Sequence, residues 1–512
     1  MSTEAQSLPR TANFLPVALL ALLGLIPLAI FLVNPWQPLL EHHSFRQTQT
    51  AITTYWLMQG GDFFRYLTPL FGAPWTIPLE FPLFQQLVAF ICECTGLPID
   101  FTGRLLSLIF FYGACVPIIL CLRKYGWPAV IIAVALFLTA PINLFFSRTF
   151  LIETFATMLA LSALCSYILF LRSGKSGYLW VLVLVGTLAG LQKVTTFLPV
   201  AGVIGLDSVR TQLAPLLRLR WREVDWRAPI CVFLSMVLPL IWTIYSDQVK
   251  HEATLSEFLT SGALKEWNFG TLAQRLQWDS WYRIFAFRIV LLGGLVLAVP
   301  LIAYAASKKQ LSFNREAGLF LCIGLLGPLV FFNLHFVHDY YQVGSLAFLA
   351  CAVVIVLARC LQVTWDTSRV TFGALLLATV AANLGLFYRY YSPPLKFVWA
   401  GDAIAYQVAK HVKAHEAKDD VTVVFGQTWS SVIPYYSERF AIMVPNTTAS
   451  ESRTAVVRNA SAFTGGKRIG ALVYCDDGSR PAEEADAERS RLFSQVDGPV
   501  VQIEYCQVKT RG

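Results

Sequence analysis

Ten residues near the start of the chain, Glu41-His42-His43-Ser44-Phe45-Arg46-Gln47-Thr48-Gln49-Thr50, set a carboxylate, two imidazoles and a guanidinium side by side. A carboxylate or a neutral imidazole can take a proton from a hydroxyl. A guanidinium can clamp an anion through two parallel hydrogen bonds. Glu80, in Leu79-Glu80-Phe81-Pro82, offers a second acid. Three further groups carry chemistry: Ser147-Arg148 with Glu153, Lys193 with Thr195 and Thr196, and His335 with His338-Asp339-Tyr340-Tyr341. Each also has a structural reading. Glu80 suits a helix N-terminus, Arg148 and Glu153 suit an ion pair, Lys193 can snorkel, and the His338 segment suits an aromatic interfacial loop. Histidine and aspartate together would admit a divalent metal, but no ligand spacing supports one. The chain has no Gly-rich phosphate loop and no Cys-x-x-Cys pair.

These groups are separated by apolar stretches. The chain has 512 residues, 56% hydrophobic and 14% charged, against about 25% charged in average soluble domains. Residues 1–390 hold 44 charges, whereas the 122 residues 391–512 hold 28. An apolar body with a tail of ordinary composition excludes a soluble single-domain enzyme and a disordered chain. The net charge of +8 comes from the body and does not indicate nucleic acid. Eleven apolar runs are candidate transmembrane helices, near 14–33, 101–122, 127–145, 150–171, 178–191, 197–207, 229–246, 284–306, 317–334, 342–359 and 370–389. The fifth and sixth are short and break at Gln192–Thr196, which reads as a turn. Basic residues from Arg10 through Arg123, Arg218, Arg220 and Arg222 to Arg369 crowd alternate short loops. The positive-inside rule then puts the N-terminus in the cytoplasm. An odd span count puts residues 391–512 outside.

The expected organisation is thus a polytopic α-helical membrane domain, 1–390, followed by a small α/β domain, 391–512, on the outer face. The first outer loop, 34–100, carries two stretches, 45–59 and 80–94, amphipathic enough to lie on the membrane surface. In the tail, helices are expected near 400–417, 448–463 and 482–494. Strands are expected at Val421–Phe425, Phe440–Val444, Arg468–Tyr474 and Val500–Cys506. Cys475 and Cys506 end two of these strands in an oxidising compartment, so a disulfide between them is feasible.

His43-Ser-Phe-Arg-Gln-Thr-Gln-Thr-Ala followed by Glu80-Phe-Pro-Leu-Phe-Gln resembles bacterial membrane glycosyltransferases of the GT-C fold, relatives of the protein O-mannosyltransferases and lipid A aminoarabinose transferases. Ser147-Arg148…Glu153, Gly190-Leu-Gln-Lys193, His338-Asp-Tyr-Tyr341 and Trp429…Tyr435-Tyr-Ser-Glu-Arg439 resemble further landmarks in the same order. The resemblance implies a sugar donor carried on a polyprenyl phosphate in the bacterial inner membrane. Transfer would occur on the periplasmic face to an envelope glycan, lipid or protein. It also implies an acidic catalytic residue in the first outer loop. At the matching position, three residues before Arg46, this chain has His43, and the nearest carboxylate is Glu41. Either could be the base, with Glu80 in the same loop. Arg46, Arg148 and Lys193 would hold the donor phosphate. Gln47, Gln49, Glu153, His338, Asp339 and Tyr340 would touch substrate. An inverting single displacement needs no protein nucleophile. A transporter and a non-catalytic glycan-assembly protein are the rival classes. The polar groups crowd one face and no repeat is visible, unlike many transporters.

Overall fold

A chain this apolar satisfies its backbone in a bilayer only by forming helices. In a computed structural model of the chain, residues 14–511 are described, except 219, 221, 222, 254, 393–399, 446–449, 477, 479 and 480. Among the described residues, six helical stretches are long and apolar enough to cross a membrane: Phe14–Phe31, Ile99–Tyr125, Glu153–Ser173, Arg227–Lys250, Asp339–Thr367 and Arg369–Tyr390. The other expected spans are helical but shorter or interrupted. Gly177–Gln192 and Val194–Arg210 meet at a single extended residue, Lys193 (φ −160°), rather than at a five-residue turn. The run near 284–306 divides into a π-helix, Tyr282–Leu291, and an α-helix, Ala298–Ser307. Arg10 and Arg222 of the basic set lie outside the described residues, as does the start of the expected helix 448–463.

The first helices are α1 (Phe14–Phe31), α2 (Ser44–Met58), α3 (Leu83–Thr95) and α4 (Ile99–Gly113). The expected stretch 45–59 forms α2, and it is packed inside the protein. Of the 15 residues of α2, 11 are buried, including Gln47, Thr48, Gln49, Thr50, Thr53 and Thr54. The helix tolerates this because its hydroxyls bond back to its own carbonyls: Thr48 Oγ1 donates to Ser44 O at 2.8 Å and Thr54 Oγ1 to Thr50 O at 3.1 Å. The tail covers part of it: Tyr55 Oη donates to Glu438 and the Trp56 ring packs on Phe440.

The tail contains a five-stranded sheet, β1 (Val421–Phe425), β2 (Phe440–Val444), β3 (Ile469–Cys475), β4 (Val500–Ile503) and β5 (Cys506–Thr510), in the order β2-β1-β3-β5-β4. β1 is parallel to β2 and β3, whereas β5 is antiparallel to β3 and β4. The single strand expected at 500–506 is a hairpin, turning at Glu504 (φ 49°). A short helix, Val432–Ser437, was not expected. Cys475 and Cys506 face each other in the β3–β5 register and are bridged. The sheet is tied to the segment between α2 and α3, because Ala441 N donates to Pro69 O and Met443 N to Leu70 O. Ser44 Oγ, at the start of α2, donates to Asp402 of the tail helix Ala400–His415 at 2.8 Å. The tail thereby closes over the N-terminal end of α2.

Candidate functional site

His43 stands at the N-terminal end of α2 with φ 60° and ψ 35°, a left-handed backbone. That conformation is uncommon for a residue with a Cβ and costs on the order of 1–3 kcal/mol. It turns the imidazole away from the helix. Nε2 of His43 lies 2.7 Å from Asp339 Oδ1, and Nε2 of His42 lies 3.3 Å from Asp339 Oδ2. Tyr391 Oη also donates to Asp339 Oδ2, at 2.8 Å. A carboxylate can only accept here, so His43 donates through Nε2–H and keeps Nδ1 as its acceptor. Arg288 donates to the carbonyls of His335, Phe336 and Val337, pinning the segment that carries Asp339.

Beside this pair lies Lys193. Its Nζ is ion-paired with Glu153, sits 3.9 Å from the centre of the Tyr341 ring and 5.3 Å from that of Tyr340. The Tyr340 ring in turn meets the His43 ring edge-on at 4.8 Å. Lys193 borders a cavity of about 200 Å³ also lined by Glu80, Gln192, Thr195, Lys250 and Tyr341. On its lining Gln192 Nε2 and Thr195 Oγ1, and on the partner of Lys193 Glu153 Oε2, are buried with no hydrogen-bond partner among the described residues. Orphaned buried polar atoms are few in folded proteins and cost about 1–3 kcal/mol each. They leave hydrogen-bonding capacity beside a buried lysine.

Arg46 is ion-paired with Glu80 and bonded to Gln49. It lies within electrostatic reach of Lys193, His338 and Tyr340. The structure therefore gathers His43, Asp339, Tyr340, Arg46, Glu80, Lys193, Glu153 and His338. It seats three other expected site residues elsewhere. Glu41 is 2% exposed and accepts from Arg104 Nη2 through both carboxylate oxygens at 2.7 Å, with Arg148 at 3.8 Å. Arg148 lies against Glu41 and the Val33 carbonyl, and does not border the Lys193 cavity. Gln47 is used structurally, donating to His42 O and accepting from Phe150 N at 3.0 Å. The reason is Arg104, on α4, whose fully buried guanidinium captures the nearest carboxylate. Arg104, Arg288 and Tyr391 were not singled out in the sequence. The signal available was an arginine inside each of two otherwise apolar runs.

Burial governs three of the imidazoles outside the spans. It lowers His43 below its ordinary 6.5, outweighing the Asp339 contact, and pushes His335 and His338 down to about 3. His42, His43 and Asp339 each offer one ligand atom within 4.8 Å of one another, a set a cation could take. Here these atoms contact each other directly, His43 Nε2 and His42 Nε2 each meeting one oxygen of Asp339.

No protein-family model matches the chain, and no curated protein matches its sequence. Solved structures do. ArnT from Cupriavidus metallidurans bound to undecaprenyl phosphate aligns over 98% of both chains with TM-score 0.66 at 13% identity. The oligosaccharyltransferase AglB from Archaeoglobus fulgidus, in complex with an inhibitory peptide and a dolichol-phosphate, aligns over 91% of this chain and 70% of its own, with TM-score 0.57 at 11% identity. The mycobacterial arabinofuranosyltransferase AftD aligns over 98% of this chain and 40% of its own, with TM-score 0.52 at 15% identity. The chain has the fold these GT-C proteins share.

Proposed function

We propose that the chain is a membrane glycosyltransferase that moves a sugar from a polyprenyl-phosphate donor to a cell-envelope acceptor on the periplasmic face. The observation that carries this reading is the juxtaposition of the Asp339–His43 pair with Lys193 and its unpaired polar neighbours. In a single displacement, the acceptor hydroxyl gives its proton to His43 Nδ1 as its oxygen bonds to the anomeric carbon. The bond from that carbon to the phosphate oxygen breaks, and the electron pair leaves with the polyprenyl phosphate. Asp339 holds the imidazole in the required tautomer and stabilises the imidazolium that forms. Lys193 and Arg46 neutralise the departing phosphate, with Gln192 and Thr195 offering hydrogen bonds to its oxygens. Inversion at the anomeric carbon follows from there being one displacement. Likeness to ArnT and AglB structures holding polyprenyl or dolichyl phosphates supports a donor of that class.

The test is binding first, then transfer. Purified protein should bind undecaprenyl phosphate, and a panel of undecaprenyl-phosphate-linked monosaccharides should include one that it consumes. Absence of undecaprenyl phosphate binding, or loss-free binding when Lys193 and Arg46 are both neutralised, would remove the donor assignment.

A further inference from the structure

A second cavity, of about 420 Å³, lies where the tail meets the outer end of α4. Its volume falls in the range of about 300–1,000 Å³ typical of small-molecule sites. Trp36 and Phe101 form one wall, their rings stacked at 3.8 Å and 7°. Trp36 is 60% exposed just beyond the outer end of α1. Tyr406 and Tyr436, perpendicular at 4.7 Å, form another. Between the aromatic walls sit charges of both signs. Asp100 accepts from Tyr435 Oη at 2.5 Å and from Tyr436 Oη at 2.9 Å. Lys413 is paired with Glu438. Lys410, 4.3 Å from the Tyr406 ring centre, forms no ion pair among the described residues.

We propose that this cavity is a carbohydrate subsite, taking a sugar ring of an acceptor that carries more than one. This rests on the transfer reading above. The chemistry selects the ligand. Flat aromatic walls suit the C–H faces of a pyranose, and tyrosine hydroxyls add polar edges. A carboxylate whose two oxygens each hold one tyrosine proton still has lone pairs for sugar hydroxyls, and Lys410 supplies donors. An anionic headgroup would meet Asp100 and Glu438, and a cationic one would meet two lysines. A neutral polyhydroxylated ring meets neither penalty. Place matters as well. Tyr55, on the cavity wall, is eleven residues along α2 from Ser44, a separation of about 16 Å. The cavity thus reaches away from His43 on its Tyr55 side, where a ring other than the reacting one can bind and anchor a longer glycan. The wall is continuous with the site, because Tyr436 Oη accepts from Leu39 N at 2.6 Å, and Glu41 and His43 follow in the chain.

The experiment uses full-length protein in nanodiscs and an array of defined bacterial envelope oligosaccharides, each printed free and lipid-linked. The wild type should retain a subset, and Trp36→Ala combined with Lys410→Ala should weaken that retention at least tenfold. Both side chains are exposed, so the double variant should keep the wild-type melting temperature. Undecaprenyl phosphate binding should be unchanged in it, whereas Arg46→Ala should show the reverse pattern. Retention of free glycans identifies ring recognition alone, and retention of lipid-linked glycans only identifies a ring presented from the membrane. No retained glycan, equal retention by the double variant, or competition by phosphatidylglycerol vesicles would overturn the subsite. Failure to bind undecaprenyl phosphate would instead overturn the transfer reading and leave glycan retention to be judged alone.

Discussion

His43 Nε2 and Asp339 Oδ1 are 2.7 Å apart across 296 residues of sequence. The contact joins the start of α2 to the helical turn Asp339–Tyr341 that leads into the helix Gln342–Thr367. It also fixes which imidazole nitrogen is left to accept a proton. The left-handed backbone at His43 and the three carbonyl contacts of Arg288 hold the two ends of the contact in place.

The first prediction follows from that contact. General acid–base groups contribute about 10²–10⁴-fold, so His43→Gln should reduce transfer by that order while undecaprenyl phosphate still binds. Asp339→Asn should reduce it less, because the imidazole remains but its tautomer is no longer enforced. The working form of His43 is neutral, and burial holds its titration below 6.5. The rate should hold as pH falls through 6.5 and drop only below it. A rate limb above pH 6.5 that vanishes in no His43 variant would exclude the imidazole.

The second concerns the donor phosphate. Losing a charge-assisted contact should cost about 1.5–3 kcal/mol, or roughly 10–150-fold in undecaprenyl phosphate affinity. Lys193→Met alone would strand the buried Glu153 carboxylate, a cost of about 3–5 kcal/mol in stability. The informative variant is Lys193→Met with Glu153→Gln, which removes both charges. It should fold and bind the lipid phosphate weakly. Tight binding by this double variant, measured by tryptophan fluorescence or native mass spectrometry, would take Lys193 out of the site.

The apolar runs and the tail strands at Val421–Phe425 and Phe440–Val444 were legible in the sequence because each depends on local pattern, whereas the Cys475–Cys506 bridge, only feasible there, follows from the pairing of β3 with β5. The site was legible as a set of residues but not as a set of pairs. His43 meets Asp339, Lys193 meets Glu153 and Glu41 meets Arg104, and no periodicity encodes contacts between distant helices. The burial of 45–59 was not legible, because a polar helix exposed to water and a polar helix covered by another segment share one pattern. Arg104 was overlooked because it lies within the apolar run read as the second span.

The third prediction is a pH dependence of stability. His335 and His338 take up protons at about 6.5 when unfolded but only at about 3 when folded. Between those values the unfolded state binds more protons. Stability is thus fully present above pH 6.5 and is lost as pH falls toward 3, by about 1.4 kcal/mol per pH unit for each histidine. Melting temperatures in detergent should fall between pH 7 and pH 5, and His335→Leu should make that fall shallower. An identical slope in the variant would show that His335 is not held neutral by burial.

The fourth concerns the tail. Cys475 and Cys506 close a loop of 31 residues, for which the chain-entropy estimate is about 3–4 kcal/mol. Cys475→Ser with Cys506→Ser should lower the tail's resistance to protease under oxidising conditions, and reduction of the wild type should do the same. If the tail is periplasmic, a reporter active only in that compartment should be active when fused after Lys509. Thiol labelling of both cysteines in freshly isolated membranes, or activity from a cytoplasm-only reporter, would place the tail on the other side.

The last prediction separates the two carboxylate-based roles open to Glu41. Its position two residues before His43 makes it a natural base in the sequence, yet the structure buries it between Arg104 and Arg148. Both guanidiniums are fully buried, and Arg148 Nε and Nη1 have no hydrogen-bond partner among the described residues. Removing the carboxylate that bonds Arg104 and faces Arg148 leaves Arg104 with only the more distant charge of Asp100 and takes away the ion pair of Arg148. Breaking a buried pair this way typically costs about 3–5 kcal/mol. Glu41→Gln should therefore lower the melting temperature and the yield of folded protein. Transfer per folded molecule should fall far less than in His43→Gln, because the amide does not touch the imidazole. Adding Arg104→Met should restore part of the lost stability, since it removes one of the stranded cations. The opposite pattern, a Glu41→Gln protein that melts like the wild type yet transfers no sugar, would make Glu41 the base and reduce Asp339–His43 to a structural contact.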